Sequence, residues 1–379
     1  MPNILVSSRN IWLYVADAGA VADIWRGGKD FPREVSVTES VIVWSEAVTV
    51  AHNVLRYWTS KPSVDTAADD LRTLSLHVMS RAGFGKSFKF QGHEEREAAA
   101  PADISMSYKD SLQIILENCI LVYEEEKQAH VKGKSADRNF MTSLVRASQD
   151  ETDSSLAGLT ESEIYGNMFT FNFAGHNTTA HTFTFALNFL AANPNIQDWV
   201  SEEICHALGG REPHGWSLSS DFPRLRRCLA VMYETLRLYT PVPTSKFCRW
   251  AAASTDPQYW GDDSLEWRPS RFIRSPDPTS ITTGTPLDNE EFSTPERGTY
   301  LAWSGGARDC VGRKFSQVEF VAVMASLFRD WRVGPVLRDN ETPEGARKRV
   351  LEQIETDSAP VLLLQMLHPE RCPLVWSRK

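Results

Sequence analysis

The sequence lacks a long hydrophobic run and an excess of positive charge, and each absence excludes a class of function. Its 40 Lys and Arg residues face 49 Asp and Glu residues, which gives a formal net charge of -9. Since phosphate binding requires a basic face, this balance argues against nucleic acid as a partner. The apolar stretch at residues 11–24 is interrupted by Asp17 and Asp23 and is shorter than the roughly 20 residues of a membrane-spanning helix. We therefore expect no nucleic-acid partner and no transmembrane anchor in this chain.

Cysteine is also sparse, and its spacing excludes a structural zinc site. The chain has six cysteines, at positions 119, 205, 228, 248, 310 and 372. None of them forms a C-x-x-C pair, which zinc sites usually contain. Wide spacing in a chain of 379 residues without a visible secretory signal favours reduced thiols over disulfides. The sequence thus predicts a protein on the cytosolic side of the cell, with peripheral association to the endoplasmic reticulum as an option.

Helical periodicity, by contrast, runs through most of the chain. A capping box at Thr160–Glu163 and the stop signal Asn193-Pro194 delimit one helix of about 32 residues. A helix of that length is expected to cross the middle of a domain. Apolar residues at three-to-four spacing predict further helices at 41–59, 69–82, 107–131, 195–208, from Pro223 to about 239, and 312–331 as the last clear one.

The remaining segments predict little regular structure. Residues 251–299 are rich in Pro, Ser, Asp and Thr and are typical of loops. Residues 11–24 predict a short strand and helix, and the apolar run at 361–364 predicts a strand. We find no internal repeat and no linker. We therefore expect one mainly α domain over residues 1–379 with a small, incomplete β component.

The strongest chemical signal is the segment Trp303–Gly312, WSGGARDCVG. Cys310 precedes a predicted helix, whose dipole favours a thiolate at that position. Gly306 and Gly312 allow the backbone to approach a ligand closely, and a thiolate that ligates iron needs such a shielded loop. Alone, this pattern is more typical of a buried free cysteine in a Gly-rich turn.

Two further patterns lie upstream. Glu234 and Arg237 are three residues apart on a predicted helix and can pair there, although such a pair alone is usually an ordinary surface pair. The long helix carries Ala174–Thr179, AGHNTT. Its Thr hydroxyls can take part in proton delivery or can bond back to carbonyls of their own helix.

In this order, the motifs resemble those of the cytochrome P450 family. The cysteine loop fits F-x-x-G-x-R-x-C-x-G with Trp303 in the aromatic place. Residues 234–237 resemble E-x-x-R, residues 269–272 resemble P-E-R-F, and residues 174–179 resemble A-G-x-[DE]-T-T. The phrases WRPSRF and WSGG are similar to fungal microsomal-type members of secondary metabolism.

The resemblance implies a P450 fold and a haem b whose iron is ligated by the Cys310 thiolate. Around the haem it places Trp303, Gly306, Gly312 and Arg308, the last on a propionate. Glu234, Arg237 and Arg271 would form a network that braces the cysteine loop. Gly175 would leave room for dioxygen, while Thr178 and Asn177 would lie at the oxygen site.

Three departures from the family pattern stand out. Asn177 replaces the usual acidic residue, so proton delivery would depend on Thr178, His176 or water, although His176 can equally be a core residue. The early helices carry no W-x-x-x-R segment, and the N-terminal anchor is missing. Few residues after Arg249 remain for the strands that normally wall the substrate pocket. The chain thus resembles a family member that lacks some segments.

The resemblance implies a haem-thiolate monooxygenase, an oxidoreductase that inserts one atom of O2 into an apolar organic substrate of terpenoid or polyketide type. Its electrons would come from NADPH-cytochrome P450 reductase. Two alternatives remain open. One is a catalytically inactive remnant of the haem fold, and the other is a haem-thiolate isomerase or a peroxide-using enzyme that needs no reductase.

Overall fold

Helices dominate this computed structural model, which describes residues 5–7, 10–12, 37–92, 120–130, 132, 140–149, 160–242, 254–275, 284–296, 299–304 and 309–379. The longer helices are α1 (Val37–Thr59), α2 (Ala67–Phe84), α3 (Phe140–Gln149), α4 (Glu161–Ala192), α5 (Pro194–Leu208), α6 (Arg226–Leu238), α7 (Arg313–Phe328) and α8 (Pro343–Thr356). Residues 120–130 are also helical. Single helical turns lie at Leu218–Asp221 and Pro257–Trp260.

Helix α4 has the predicted length and the predicted start. Thr160 Oγ1 accepts a hydrogen bond from Glu163 N, while Glu163 Oε2 accepts one from Thr160 N at 2.8 Å, so both parts of the capping box form. The helix then runs for 32 residues, about 48 Å at the usual rise. Pro194 ends it because proline starts the next helix, α5, in its first turn. Helices α2, α6 and α8 all pack against α4, which makes it the central element of the described fold.

The main hydrophobic core lies between α1, α2, α4, α5, α6 and α7. Phe183 of α4 stacks on Phe320 of α7 with ring centroids 4.9 Å apart. From Gln317 to Phe328 every residue of α7 is buried. The helix that follows the cysteine loop is therefore buried on all sides from its second turn onwards.

The β component is small, as predicted. Its strands pair in four antiparallel two-stranded sheets, β1–β2, β3–β4, β5–β8 and β6–β7. The strands are β1 (Leu5–Ser7), β2 (Asn10–Trp12), β3 (Ile273–Arg274), β4 (Glu291–Phe292), β5 (Trp331–Pro335), β6 (Ser358–Pro360), β7 (Leu364–Met366) and β8 (Leu374–Arg378). The longest pair, β5 with β8, aligns Trp331 with Arg378.

Three predicted boundaries are wrong. Helix α6 begins at Arg226, not at Pro223, because Leu225 has non-helical dihedrals that separate it from a 3-10 turn at Phe222–Arg224. Helix α7 stops at Phe328, and Trp331 already belongs to β5. Residues 361–363 form the turn between β6 and β7 rather than a strand, and Val361 and Leu362 are exposed there.

The prediction also missed helix α3 and helix α8, of which α8 lies beyond the supposed last helix. Thr342 caps it by accepting from Gly345 N at 3.1 Å, and Pro343 occupies the first turn. Ala346, Val350 and Ile354 are its buried residues. Of the helix predicted at 107–131, the described residues include 120–130, which are helical. Of the region 11–24, they include residues 11 and 12, which end strand β2 (Asn10–Trp12). None of the described helices is long and apolar enough to cross a membrane.

Candidate active site

Cys310 lies immediately before α7, in a loop that folds back on the start of that helix. Its backbone N donates to Trp303 O at 2.8 Å, and its carbonyl accepts from Arg313 N at 3.2 Å. The Trp303 indole, which is buried, donates to Ser316 Oγ at 3.1 Å. Trp303 therefore ties the loop together at two points: its carbonyl binds the amide of Cys310, and its indole binds Ser316 in the first turn of α7.

The thiol of Cys310 favours its protonated form in the protein chain by itself. Desolvation raises the pKa of Cys310 and the nearby Asp309 charge adds to it, while a Gly312 backbone hydrogen bond and Arg313 lower it. This net direction is opposite to the one expected from the helix dipole. Binding of a cation at this position would favour the thiolate by displacing the proton. Cys310 as a whole is exposed, and its sulfur passes 3.7 Å from where a Cβ on Gly312 would be.

Gly306 and Arg308, which the motif places beside the cofactor, lie outside the described residues. Of the loop segment, the structure describes residues up to Ser304 and from Asp309 onwards.

Glu234, Arg237 and Arg271 come together as one buried network, the Glu234 network. Arg237 donates to the Glu234 carboxylate through Nε at 2.7 Å and Nη2 at 2.9 Å. Arg271 Nε donates to Glu234 Oε1 at 2.8 Å, and Arg268 N donates to the same oxygen at 2.8 Å. The Glu234 and Arg237 side chains are fully buried. The Glu234 carboxylate thus pairs with two guanidinium groups, and Asp263 lies 3.5 Å from Arg271 Nη1 as a second acidic partner. Direct hydrogen bonds therefore offset the desolvation of these charges.

The Glu234 network also ties down the segment between α6 and β3. Arg237 donates to the carbonyl oxygens of Ser254 at 2.8 Å and Glu266 at 3.2 Å. Arg271 donates to Asp263 O at 3.1 Å. The hydrogen bonds described for these three side chains reach residues 254–271, and the link from α6 to the cysteine loop runs instead through Tyr233. Sequence reasoning did not assign a role in the site to Tyr233 or Ser316, since neither is a residue of the motifs.

The accessible part of α4 extends from its first turn to Thr178, and residues 179–192 are buried. Ala174 is exposed and Gly175 and Thr178 are partly exposed, whereas His176 and Asn177 are buried. Thr178 Oγ1 donates to Ala174 O at 2.8 Å. This is the back-bonding that the sequence left open as an alternative, and it occupies the hydroxyl proton while leaving the oxygen able to accept.

The space beside Gly175 is filled by α2. A Cβ at position 175 would lie 3.1 Å from Met79 Sδ and 3.2 Å from Met79 Cε. Room for dioxygen beside Gly175 would therefore have to lie away from the side on which a Cβ would point. The absent methyl group allows α2 to approach α4 closely instead.

His176 is a core residue of α4. Its Nδ1 donates to Asn172 O, and burial lowers the pKa of His176 from 6.5 to about 4. The imidazole is thus neutral near pH 7. Asn177 lies off the accessible face as well, so neither residue brings a titratable group to that face.

The sequence and the structure are both similar to those of known cytochromes P450. The sequence profile of cytochrome P450 matches residues 100–249. A cytochrome P450 monooxygenase (number 124) of Postia placenta is 24% identical over 94% of this chain and 75% of its own length. A second P450 monooxygenase of that fungus (number 91) is 31% identical over 56% of this chain and 44% of its own length. A crystal structure of a cytochrome P450 superposes with a TM-score of 0.64 and 17% identity over 97% of this chain and 83% of that one.

The chain is similar to cytochrome P450s in its profile match, in its relatives and in its fold. P450s are haem-thiolate monooxygenases, oxidoreductases in which a cysteine thiolate ligates the haem iron, and haem is accordingly the cofactor of this fold. A P450 monooxygenase of the phomenoic acid biosynthesis cluster of Leptosphaeria maculans is 26% identical over 83% of this chain and 66% of its own length. The chain thus spans less than two thirds of some of the P450s it matches.

The described residues fit a haem. Cys310 is exposed and lies before α7, whose later part is buried. The segment of α4 that resembles the family's oxygen-site motif presents Ala174, Gly175 and Thr178 at its surface, next to the half-buried Phe171. The described residues thus offer a candidate thiol ligand and a stretch of small side chains on the long helix, both of which a haem-thiolate site requires.

Proposed function

We propose that this P450 is a monooxygenase that inserts one atom of O2 into an apolar organic substrate of fungal secondary metabolism. The observation that carries the proposal is Cys310, an exposed cysteine in a loop that Trp303 ties to the first turn of α7. The relative named for the phomenoic acid biosynthesis cluster supports a biosynthetic role, and the terpenoid or polyketide type of substrate rests on the sequence resemblance alone. Residues 1–379 would form a single domain that receives electrons from NADPH-cytochrome P450 reductase on the cytosolic side of the endoplasmic reticulum.

Each residue of the site has a proposed part. Cys310 would ligate the haem iron, and Gly312 and Gly306 would let the backbone approach the sulfur. Trp303 would shield it, and Arg308 would hold a propionate. When bound, the haem supplies the oxygen chemistry.

The α4 side chains would order the oxygen side. Thr178 would accept a hydrogen bond from a water or reactant at its Oγ1 while it donates its own hydroxyl proton to Ala174 O. Gly175 and Asn177 would act through the shape of α4, the first by admitting Met79 and the second from its buried position. The Glu234 network would keep α6 in place beneath these elements.

The ferrous–CO spectrum of haem-loaded protein tests the ligand. Wild type and Cys205→Ser, a change at the other exposed cysteine among the described ones, should both give the Soret band typical of thiolate ligation. Cys310→Ser should lose it, because a hydroxyl does not replace the thiolate. A thiolate band that persists in Cys310→Ser contradicts the assignment, and a wild type that takes up no haem points to an inactive remnant of the fold.

The residues on the accessible face of α4 favour a second candidate, a peroxide-using or isomerising P450. Phe171, Gly175 and Thr178, the described residues around Ala174 on the accessible face, carry no titratable group. A reaction that needs no proton delivered to dioxygen does not require a titratable group on this face. Product formed with hydrogen peroxide alone, and none with reductase and NADPH, would support this candidate over the monooxygenase.

A further inference from the structure

Tyr233 connects the helix of the Glu234 network to the helix that follows the cysteine. It precedes Glu234 on α6 and is 3% exposed. Its phenol oxygen accepts hydrogen bonds from Arg313 Nη2 at 3.2 Å and from Gln317 Nε2 at 3.1 Å. Both donors lie in the first two turns of α7. A single hydroxyl of α6 therefore holds the beginning of α7.

Aromatic rings fix the position of this hydroxyl. The Tyr233 ring stacks on Tyr300 at 5.0 Å and lies 5.0 Å from Trp303. Phe292 and Phe272 meet it edge-on at 4.8 Å and 5.5 Å. Such ring pairs hold a specific geometry beyond simple burial, and the Tyr300 hydroxyl adds a hydrogen bond to Tyr233 O at 3.1 Å.

The same contacts involve residues on both sides of Cys310 in the sequence. Before the cysteine, Trp303 touches Tyr233 by its ring and accepts the Cys310 amide by its carbonyl. After the cysteine, Arg313 donates to the Tyr233 phenol, and its guanidinium lies 5.4 Å from the Trp303 ring. Tyr233, Trp303 and Arg313 thus form a closed set of contacts around the segment that bears the sulfur.

We propose that Tyr233 is a positioning residue for Cys310: its hydroxyl holds the first turns of α7 while its ring holds Trp303, so that the Glu234 network is mechanically coupled to the sulfur through α6. The link to haem rests on the proposed function. The link to α7 rests only on the contacts within the chain.

Tyr233→Phe tests the coupling because it removes the hydroxyl and keeps the ring. Gln317, which is buried, then loses its acceptor. We expect the amides of Arg313, Ser316 and Gln317 to exchange with deuterium about tenfold faster, the effect of losing roughly 1.4 kcal/mol of hydrogen bonding. The amides of α6 should keep their wild-type rates.

Tyr300→Phe is the matched control, since it removes a hydroxyl from the same cluster that bonds α6 and not α7. It should leave the exchange of those three α7 amides unchanged. Gln317→Met approaches the same bond from the other side and should reproduce part of the Tyr233→Phe effect, which keeps the test open if Tyr233→Phe does not fold. Unchanged exchange in both variants, or an equal rise along the whole chain, would overturn the proposal.

A spectroscopic arm separates this proposal from the proposed function. In haem-loaded Tyr233→Phe, the thiolate-type ferrous–CO band should decay severalfold faster with time than in wild type and in Tyr300→Phe. Equal decay rates would refute the coupling to the sulfur. If wild type shows no such band, the haem-thiolate function fails, while the exchange experiment still decides whether Tyr233 anchors α7.

Discussion

The buried carboxyl of Glu319 on α7 faces the buried hydroxyl of Ser75 on α2, and this hydroxyl lowers the pKa of the carboxyl less than desolvation raises it. Glu319 has no exposed surface. Desolvation raises the pKa of Glu319 from 4.5 to about 8, and Ser75 lowers it only in part. The folded protein therefore holds a neutral carboxylic acid in its core at pH 7.

Replacement of Glu319 by Gln should change how stability depends on pH. Between the two pKa values, the folded state binds a proton that the unfolded state has lost, so stability falls as pH rises from 4.5 towards 8. The variant lacks this titration, so its free energy of unfolding should gain on wild type by about 1.4 kcal/mol per pH unit in that window. Urea unfolding at several pH values measures the difference. Glu352→Gln, at a 63% exposed side chain, should show no such gain, and parallel curves for Glu319→Gln would contradict the expectation.

His176 should produce the opposite dependence at acid pH. Burial lowers the pKa of His176 to about 4, below the 6.5 of the unfolded chain, so as pH falls the unfolded state binds the proton first. Stability should therefore decline from about pH 6.5 down to about pH 4, by about 1.4 kcal/mol per unit. His176→Gln should remove this slope in thermal unfolding followed by circular dichroism. His368→Gln, at a side chain that is 46% exposed, serves as the control, and a slope that survives in His176→Gln would count against the assignment.

Glu234→Gln should destabilise the fold strongly. It leaves the charges of Arg237 and Arg271 buried with a neutral amide in place of the carboxylate. Removing one partner of a buried ion pair costs about 3–5 kcal/mol. Denaturant unfolding measures this, with Lys348→Ala as the surface comparison, since the Lys348–Glu352 pair is exposed and should matter by less than about 0.5 kcal/mol. A loss of similar size in the two variants would show that the network is not a buried brace.

Two glycines of α4 should respond differently to alanine. Nothing lies within 4 Å of a Cβ at Gly166, whereas a Cβ at Gly175 would lie 3.1 Å from Met79 Sδ. Gly166→Ala should raise stability by about 1 kcal/mol, because alanine is the better helix former. Gly175→Ala should gain less or lose stability, because Met79 must move. Equal gains at both positions in thermal unfolding would show that Met79 does not restrict Gly175.

Thr178→Ala should reduce the amount of product formed per O2 consumed, given the proposed monooxygenase function. The change removes the one hydroxyl at the accessible middle of α4. Thr170→Ala is the matched control, since Thr170 makes the same back-bond to Gly166 O at 2.9 Å two turns earlier. Parallel measurement of oxygen uptake and product should show normal coupling in the control. Equal coupling in both variants would remove Thr178 from the proton path.

Local signals were sufficient for several elements and were overlooked for one. The capping box at Thr160 and the proline at 194 set both ends of α4, because capping and proline geometry act within a few residues. Helix α8 carries the same kind of signal, Thr342 followed by Pro343, and was predictable. The turn at 361–363 was not, because an apolar run of that length fits a strand or a turn until its pairing partner is known.

By itself, the sequence determined the central helix, the presence of the four motifs and the pairing of Glu234 with Arg237, because these depend on residue type and short spacing. Only the tertiary structure decided that Met79 fills the space beside Gly175, that Tyr233 joins α6 to α7, and that burial raises the pKa of Cys310. These features depend on which residues meet across more than seventy positions of chain or on how much water is excluded. Neither quantity is encoded in a local pattern, since both arise only when the helices pack.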